Sequence, residues 1–266
     1  MNRIKKKFDE LKEKKEKALV GFLTAGDPDF SKSLAIITKM CDAGLDVLEL
    51  GIPFSDPTAD GPVIQRSSAR SLANGIHISK ILKMTKKLRK TSDIPIILFT
   101  YYNPVLAFGI EKFYKEAKKA GADGTLVVDL PLEESNEMTK FWENDNFSLI
   151  RLLAPTTPKE RMEKILKTAA SGFIYLVSKT GVTGSDGIDA SEVLKQMKMI
   201  RLVSNLPVCV GFGISTSNDV SRIASFADGV VIGSAFERLI ENNMNNPELP
   251  SIIAEKVKEY KKATIV

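Results

Sequence analysis

The 266-residue sequence predicts an α/β chain folded as a (β/α)8 TIM barrel with an additional N-terminal helix. Three observations predict it. Short apolar, β-branched runs recur eight times at a mean spacing of about 30 residues, with helical patterns between them, as parallel βαβ units require. One helix-to-strand joint repeats as text: Ala43-Gly44-Leu45-Asp46 and Ala120-Gly121-Ala122-Asp123, with Ala227-Asp228-Gly229 as a looser echo. In each full copy Gly stands just past a helix, where positive φ costs little, and a strand follows. Finally, no linker, low-complexity tract or change of composition divides the chain, so residues 1–266 read as a single TIM-barrel domain. A doubly wound open sheet shares the alternation and is the structural rival.

The elements follow in order. Residues 1–17 place Ile4, Phe8 and Leu11 at i, i+4 and i+7, an amphipathic helix with one apolar stripe, expected to cap the barrel floor opposite the active mouth. The strand runs are 19–24, 46–50, 95–100, 125–128, 148–153, 173–177, 207–210 and 229–232. Among the helices, one buries Ile110, Phe113, Tyr114 and Ala117 and stops at Gly121. A second opens with Thr157 as N-cap, Pro158 in the first turn and Glu160 closing a capping box, then buries Met162, Ile165, Leu166 and Ala169. A third starts at Asp189 and buries Val193, Met197, Ile200 and Val203.

Charge and composition exclude several functions. The chain carries 38 Lys+Arg and 33 Asp+Glu, a surplus of +5. Residues 1–17 alone are net +4, so +1 remains for everything else, and no basic groove tracks a nucleic acid. A single His, His77, leaves no His-rich metal chemistry, and no metal site is expected. Cys41 and Cys209 form neither a CxxC pair nor a disulfide framework, which points to a reducing compartment. The longest apolar runs, such as 94–99, fall far short of the roughly 20 residues a membrane span needs. The N-terminus has charge but no apolar core, so it reads as no secretory signal.

Barrel enzymes work at the C-terminal ends of their strands, so the residues just past each run carry the functional question. In Val47-Leu48-Glu49-Leu50-Gly51 the side chains alternate. If Leu48 and Leu50 pack on helices, Glu49 points into the barrel mouth. Desolvation there raises its pKa and makes it a general acid or base. The competing reading is a structural carboxylate paired with a cation. The loop 51–62 holds three prolines, two glycines and the acids Asp56 and Asp60. Asp60 projecting over the mouth beside Glu49 allows two carboxylates to divide roles, one cycling its proton and one staying ionised. Both Asp residues also suit ordinary turns.

Gly211-Phe212-Gly213-Ile214-Ser215 and Gly233-Ser234-Ala235 follow the last two runs, where barrels bind phosphate with backbone amides. Thr216 replaces the third glycine of a dinucleotide fingerprint, so the pair suggests one small phosphorylated ligand. Three glycines in 178–187, spaced by threes with hydroxyls between, suit a lid that orders on a ligand, or a passive long loop. Phe22, Thr24, Tyr175 and Phe212 either line a flat aromatic-sized pocket or belong to the core.

Taken together, 22–28 (Phe-Leu-Thr-Ala-Gly-Asp-Pro), 48–57 (Leu-Glu-Leu-Gly-Ile-Pro-Phe-Ser-Asp-Pro), 59–65 (Ala-Asp-Gly-Pro-Val-Ile-Gln), 181–184 (Gly-Val-Thr-Gly) and 211–215 (Gly-Phe-Gly-Ile-Ser) resemble the tryptophan synthase alpha chain, in register from Phe22 to beyond Ser234. The resemblance implies cleavage of indole-3-glycerol phosphate to indole and glyceraldehyde 3-phosphate. It implies no cofactor in this chain and a tryptophan synthase beta chain as partner, in an alpha2-beta2 tetramer, which holds pyridoxal phosphate and receives the indole. Glu49 and Asp60 match the family's catalytic acids. Thr183 matches the lid threonine, and Gly184, Gly213, Gly233 and Ser234 match the phosphate-binding positions. Phe22, Tyr175, Gly211 and Phe212 are the accompanying substrate-pocket residues, and Asp56 and Lys179 the expected partner contacts. Lys179 stands where the family usually has Arg, keeping the charge and losing the planar fork. Two rivals remain: a Schiff-base aldolase using Lys179, and a non-catalytic subunit that activates a beta chain. The expected compartment is the cytoplasm, or the plastid stroma for a plastid-encoded chain.

Overall fold

The eight apolar runs become eight parallel strands: β1 (Ala18–Thr24), β2 (Val47–Gly51), β3 (Ile96–Thr100), β4 (Gly124–Val127), β5 (Ser148–Leu153), β6 (Ile174–Val177), β7 (Val208–Gly211) and β8 (Gly229–Ile232). They pair in that order, and β8 returns to β1 through Ala18 opposite Gly229 to Gly21 opposite Ile232. That pairing closes the barrel and excludes the open sheet. The computed structural model describes residues 2–142, 145–168, 170–178, 190–211 and 213–265.

Alternation along the strands sorts side chains into two cores. Leu19, Leu23, Leu48, Leu50, Ile96, Leu98, Leu176 and Val210 face outward to the helices. Ala18, Val20, Val47, Ile97, Leu126, Ile150, Tyr175, Cys209 and Val231 fill the barrel. Leu48 and Leu50 are thus helix-facing, and Glu49, opposite Phe22 on one side and Ile97 on the other, lies on the interior face. The helix Arg3–Glu13 adds Ile4, Phe8 and Leu11 to the interior cluster, with the Phe8 ring 5.9 Å from that of Phe173 just ahead of β6.

The repeated joint has a structural job beyond its glycine. Asp46 accepts the Leu19 N–H at 2.9 Å and Asp123 the Ile96 N–H at 2.9 Å, each reaching back to the preceding strand. Asp228, in the looser copy, takes the Val208 N–H at 2.7 Å. A cation from outside the barrel then neutralises each carboxylate: Lys261 for Asp46, Arg89 and Arg3 for Asp123, Arg201 for Asp228. Arg3 is therefore tied into the fold, unlike the solvated lysines around it.

Helix Ile110–Ala120 ends at Gly121 with φ 95°, as its text predicts. One cap differs. Helix Lys159–Thr168 starts with the Pro158 carbonyl accepting from Met162, and the Thr157 hydroxyl turns back to the Ala154 N–H at 3.1 Å in place of the expected capping box. Helix Ala190–Val203 buries Val193, Met197 and Ile200, while Val203 is half-buried. Ala169 and Asp189 lie outside the described residues.

Candidate active site

β2 delivers Glu49 into the barrel interior, where it is fully buried and neither carboxylate oxygen has a hydrogen-bond partner among the described residues. Among the described residues no cation pairs with it, as a structural carboxylate would require. Burial alone pushes its pKa up to about 8. At neutral pH Glu49 is a protonated acid within reach of becoming a base.

The loop after β2 brings Asp60 back over the mouth. Its Oδ2 accepts from the Tyr101 hydroxyl at 3.1 Å, and the same hydroxyl accepts the Ala59 N–H at 3.0 Å. Burial raises the Asp60 pKa to about 6, and the Tyr101 bond opposes part of that rise by stabilising the anion. Two acids in unlike settings thus favour opposite protonation states near pH 7.

An aromatic recess opens at Asp60, lined in part by Phe22, the β1 neighbour of Glu49. Phe22, Phe54, Phe99 and Tyr101 line one cleft with Asp60, Ile64 and Thr24. Phe22 meets Phe99 edge to face at 5.0 Å, and Phe54 tilts on Tyr101 at 5.4 Å. Tyr175, on the interior face of β6, feels burial first and then the charges of Glu49, Cys209 and Asp60, all of which raise its phenol pKa. Gly211 at the end of β7 is small by necessity: a Cβ there would stand 2.3 Å from the Tyr175 hydroxyl.

The phosphate candidates lie further round the rim. Gly213 has φ 75°, available to glycine, and a Cβ there would meet nothing within 4 Å, so the backbone is open above it. Gly233 precedes helix Ser234–Asn243, whose first-turn amides are without intrahelical acceptors. Asp56 is exposed on the loop and accepts the Ser55 hydroxyl at 2.5 Å. Lys179, Thr183, Gly184 and Phe212 lie outside the described residues. No group of three or more His, Cys, Asp or Glu among the described residues is placed to hold a metal ion.

Tyr101 escaped the sequence reading, although it stands just past β3, the position searched at other strands. Glu237 escaped too: it shares the buried face of helix Ser234–Asn243 with Phe236 and Ile240, where a carboxylate is out of place.

A closed parallel barrel with two desolvated acids around an aromatic recess defines a TIM-barrel enzyme of the acid–base type. The family model described as tryptophan synthase alpha chain matches residues 8–265. The tryptophan synthase alpha chain of Desulfosudis oleivorans is 61% identical over 264 residues, covering 99% of each chain. That of Desulfatibacillum aliphaticivorans is 58% identical with the same coverage. The crystal structure of tryptophan synthase subunit alpha from Legionella pneumophila superposes with a TM-score of 0.90 at 38% identity, over 99% of this chain and 98% of that one. The chain belongs to the tryptophan synthase alpha chain family.

Proposed function

We propose that Glu49 and Asp60 carry the chain's reaction, the carbon–carbon lyase step of tryptophan biosynthesis that releases indole and glyceraldehyde 3-phosphate from indole-3-glycerol phosphate. The activity follows from the family; the division of roles follows from the site. Breaking the bond between indole C3 and the glycerol carbon needs a proton on C3, so that the ring becomes an electron sink. Glu49 delivers it. The carboxylate left behind collects the proton of the hydroxyl on that same glycerol carbon. As that O–H bond breaks a C=O forms, the carbon–carbon pair returns to the ring, and Glu49 is protonated again. Ionised Asp60 accepts the indole N–H and stabilises the positive charge that develops on the ring, most strongly in the transition state.

The observation that carries this reading is Glu49, buried without a counter-ion among the described residues, beside an aromatic recess whose rim holds Asp60. Phe22, Tyr175, Gly211 and Phe212 shape the ring pocket. Backbone amides at Gly184, Gly213, Gly233 and Ser234 hold the phosphate, with Thr183 closing over it. The chain acts as one barrel domain whose first 17 residues close the floor, a reading supported by Ile4, Phe8 and Leu11 in the interior cluster.

The partner is a tryptophan synthase beta chain, in an alpha2-beta2 tetramer, meeting Asp56 and Lys179 on the mouth side. Pyridoxal phosphate belongs to that partner, and this chain works without a cofactor. No helix among the described residues is long and apolar enough to cross a membrane, and the relatives are bacterial; both support a cytoplasmic site of action.

Indole release from indole-3-glycerol phosphate tests the reading, by the chain alone and with its beta chain. Glu49→Gln is expected to lower kcat by about 10²–10⁴-fold and Asp60→Asn by a similar order. A parent chain that releases no indole under either condition overturns the lyase reading. Full activity in Glu49→Gln overturns the assignment of the acid.

A further inference from the structure

Glu237 lies outside the catalytic pair, yet it is completely buried in the first turn of helix Ser234–Asn243. Its Oε1 accepts the Thr24 N–H at 2.6 Å, at the end of β1. Its Oε2 has no hydrogen-bond partner among the described residues, and the carboxylate facing it is Asp27, itself buried. Both Asp27 oxygens take the Arg70 guanidinium, at 2.8 and 2.7 Å. Arg70 also binds Glu241 at 2.8 Å, and Glu241 is held by Arg66 as well.

This arrangement links three parts of the site. Thr24 belongs to the aromatic recess and shares a 2.7 Å hydroxyl contact with Ser67. Arg70 and Ser67 are on helix Pro62–Ala73, which begins two residues after Asp60. Glu237 rides on the helix that opens at Gly233 and Ser234. One carboxyl therefore touches β1 and the loop beyond it from the helix assigned above to the substrate phosphate.

We propose that Glu237 is a positioning residue for the phosphate end of the site, accepting from Thr24 and donating to Asp27 as a neutral acid, so that its loss of a proton weakens substrate binding. This rests on the reading of Gly233 and Ser234 as phosphate-binding positions. Only a protonated Glu237 completes the geometry, because it supplies Oε2 with a hydrogen to give to Asp27. An ionised one would set two carboxylates face to face in a buried space. Burial and the Asp27 charge accordingly raise its pKa to about 8. Arg66, Arg70 and Glu241 do not change state in that range: both arginines are held protonated by their carboxylates, and Glu241 is pulled down to about 2.

Steady-state kinetics on the full chain with its beta chain, from about pH 7 to about pH 9.5, separates this from Glu49. The substrate phosphate is already a dianion over most of that range, its second pKa being about 6. Deprotonation of Glu49 lowers kcat. Deprotonation of Glu237 is expected to raise KM by roughly threefold to tenfold. In Glu237→Gln the amide keeps both hydrogen bonds and cannot ionise, so KM should match the parent at pH 7 and stay flat, while the alkaline fall in kcat remains. Glu237→Leu, lacking donor and acceptor, should show a raised KM at every pH.

A parent KM that does not rise overturns the proposal with no variant needed, and so does a Glu237→Gln chain that keeps the parent's rise. Inorganic phosphate, used as a competitor at pH 7, distinguishes the two levels. If it does not compete with substrate, the phosphate-site reading fails and takes this inference with it. If it competes and Glu237→Gln still shows the alkaline rise, this inference alone fails.

Discussion

The Tyr101 hydroxyl holds Asp60 from two directions at once, donating to its Oδ2 at 3.1 Å and accepting the N–H of the preceding Ala59 at 3.0 Å. A residue just past β3 thereby fixes the loop that follows β2. The bond also stabilises the Asp60 anion that the proposed mechanism requires.

Tyr101→Phe should lower kcat by roughly tenfold, the equivalent of about 1.5 kcal/mol for a hydrogen bond to a charged group. It should also move the acid limb of the pH profile upward from about 6, because the lost donor favoured the ionised form. A profile that falls in height without shifting would mean that Tyr101 acts on the loop position alone.

The two acids predict a bell in kcat/KM. Activity rises as Asp60 ionises through about 6 and falls as Glu49, and with it Glu237 through KM, loses its proton through about 8. Stability moves with Glu49 as well. The unfolded chain ionises Glu49 near 4.5 whereas the folded chain holds the proton until about 8, so burial of Glu49 costs stability that grows with pH across that window. Glu49→Gln should therefore raise the urea midpoint at pH 8 and change it little at pH 4.5. Equal shifts at both pH values would contradict the buried neutral acid.

Gly211→Ala tests the fit of Tyr175. The added methyl would stand 2.3 Å from the phenol oxygen, so the ring must leave its place in the barrel. We expect a loss of about 1–3 kcal/mol in stability and a raised KM. Pairing it with Tyr175→Phe should recover part of the KM, since the clash is with the hydroxyl first; a double variant no better than the single one would locate the damage elsewhere.

Arg3 offers an internal comparison between a buried and an exposed pair. It meets Asp123 at 3.0 Å, a side chain 5% exposed, and Asp93 at 3.6 Å, a side chain 94% exposed. Asp123→Ala removes the acceptor of the Ile96 N–H and strands Arg89, and should cost about 3 kcal/mol in chemical denaturation. Asp93→Ala should change stability by no more than about 0.5 kcal/mol.

Much of this molecule was legible in the sequence, and the reasons are local. Strand boundaries came within a residue of their places because β-branched runs bounded by Gly and Pro leave little choice of element. The alternation Val47-Leu48-Glu49-Leu50 placed Glu49 inside once Leu48 and Leu50 met the helices. The repeated Ala-Gly-x-Asp text marked the joints, though its carboxylate's reach to the preceding strand is a contact between elements about 27 residues apart, which no local rule supplies. The Thr157 cap failed for the opposite, local reason: its hydroxyl accepts the Ala154 N–H, three residues back.

What the sequence determined by itself was the barrel, the inward face of Glu49 and the family, because periodicity, turn chemistry and the loop at 51–62 are written in consecutive residues. Tertiary structure alone decided which environment each acid occupies. Glu49 is desolvated because the barrel closes around it, Asp60 has Tyr101 because β3 lies beside β2, and Glu237 faces Asp27 because β8 returns to β1. A carboxyl's proton affinity depends on the groups and solvent around it in space, and those are set only when distant strands have closed the ring.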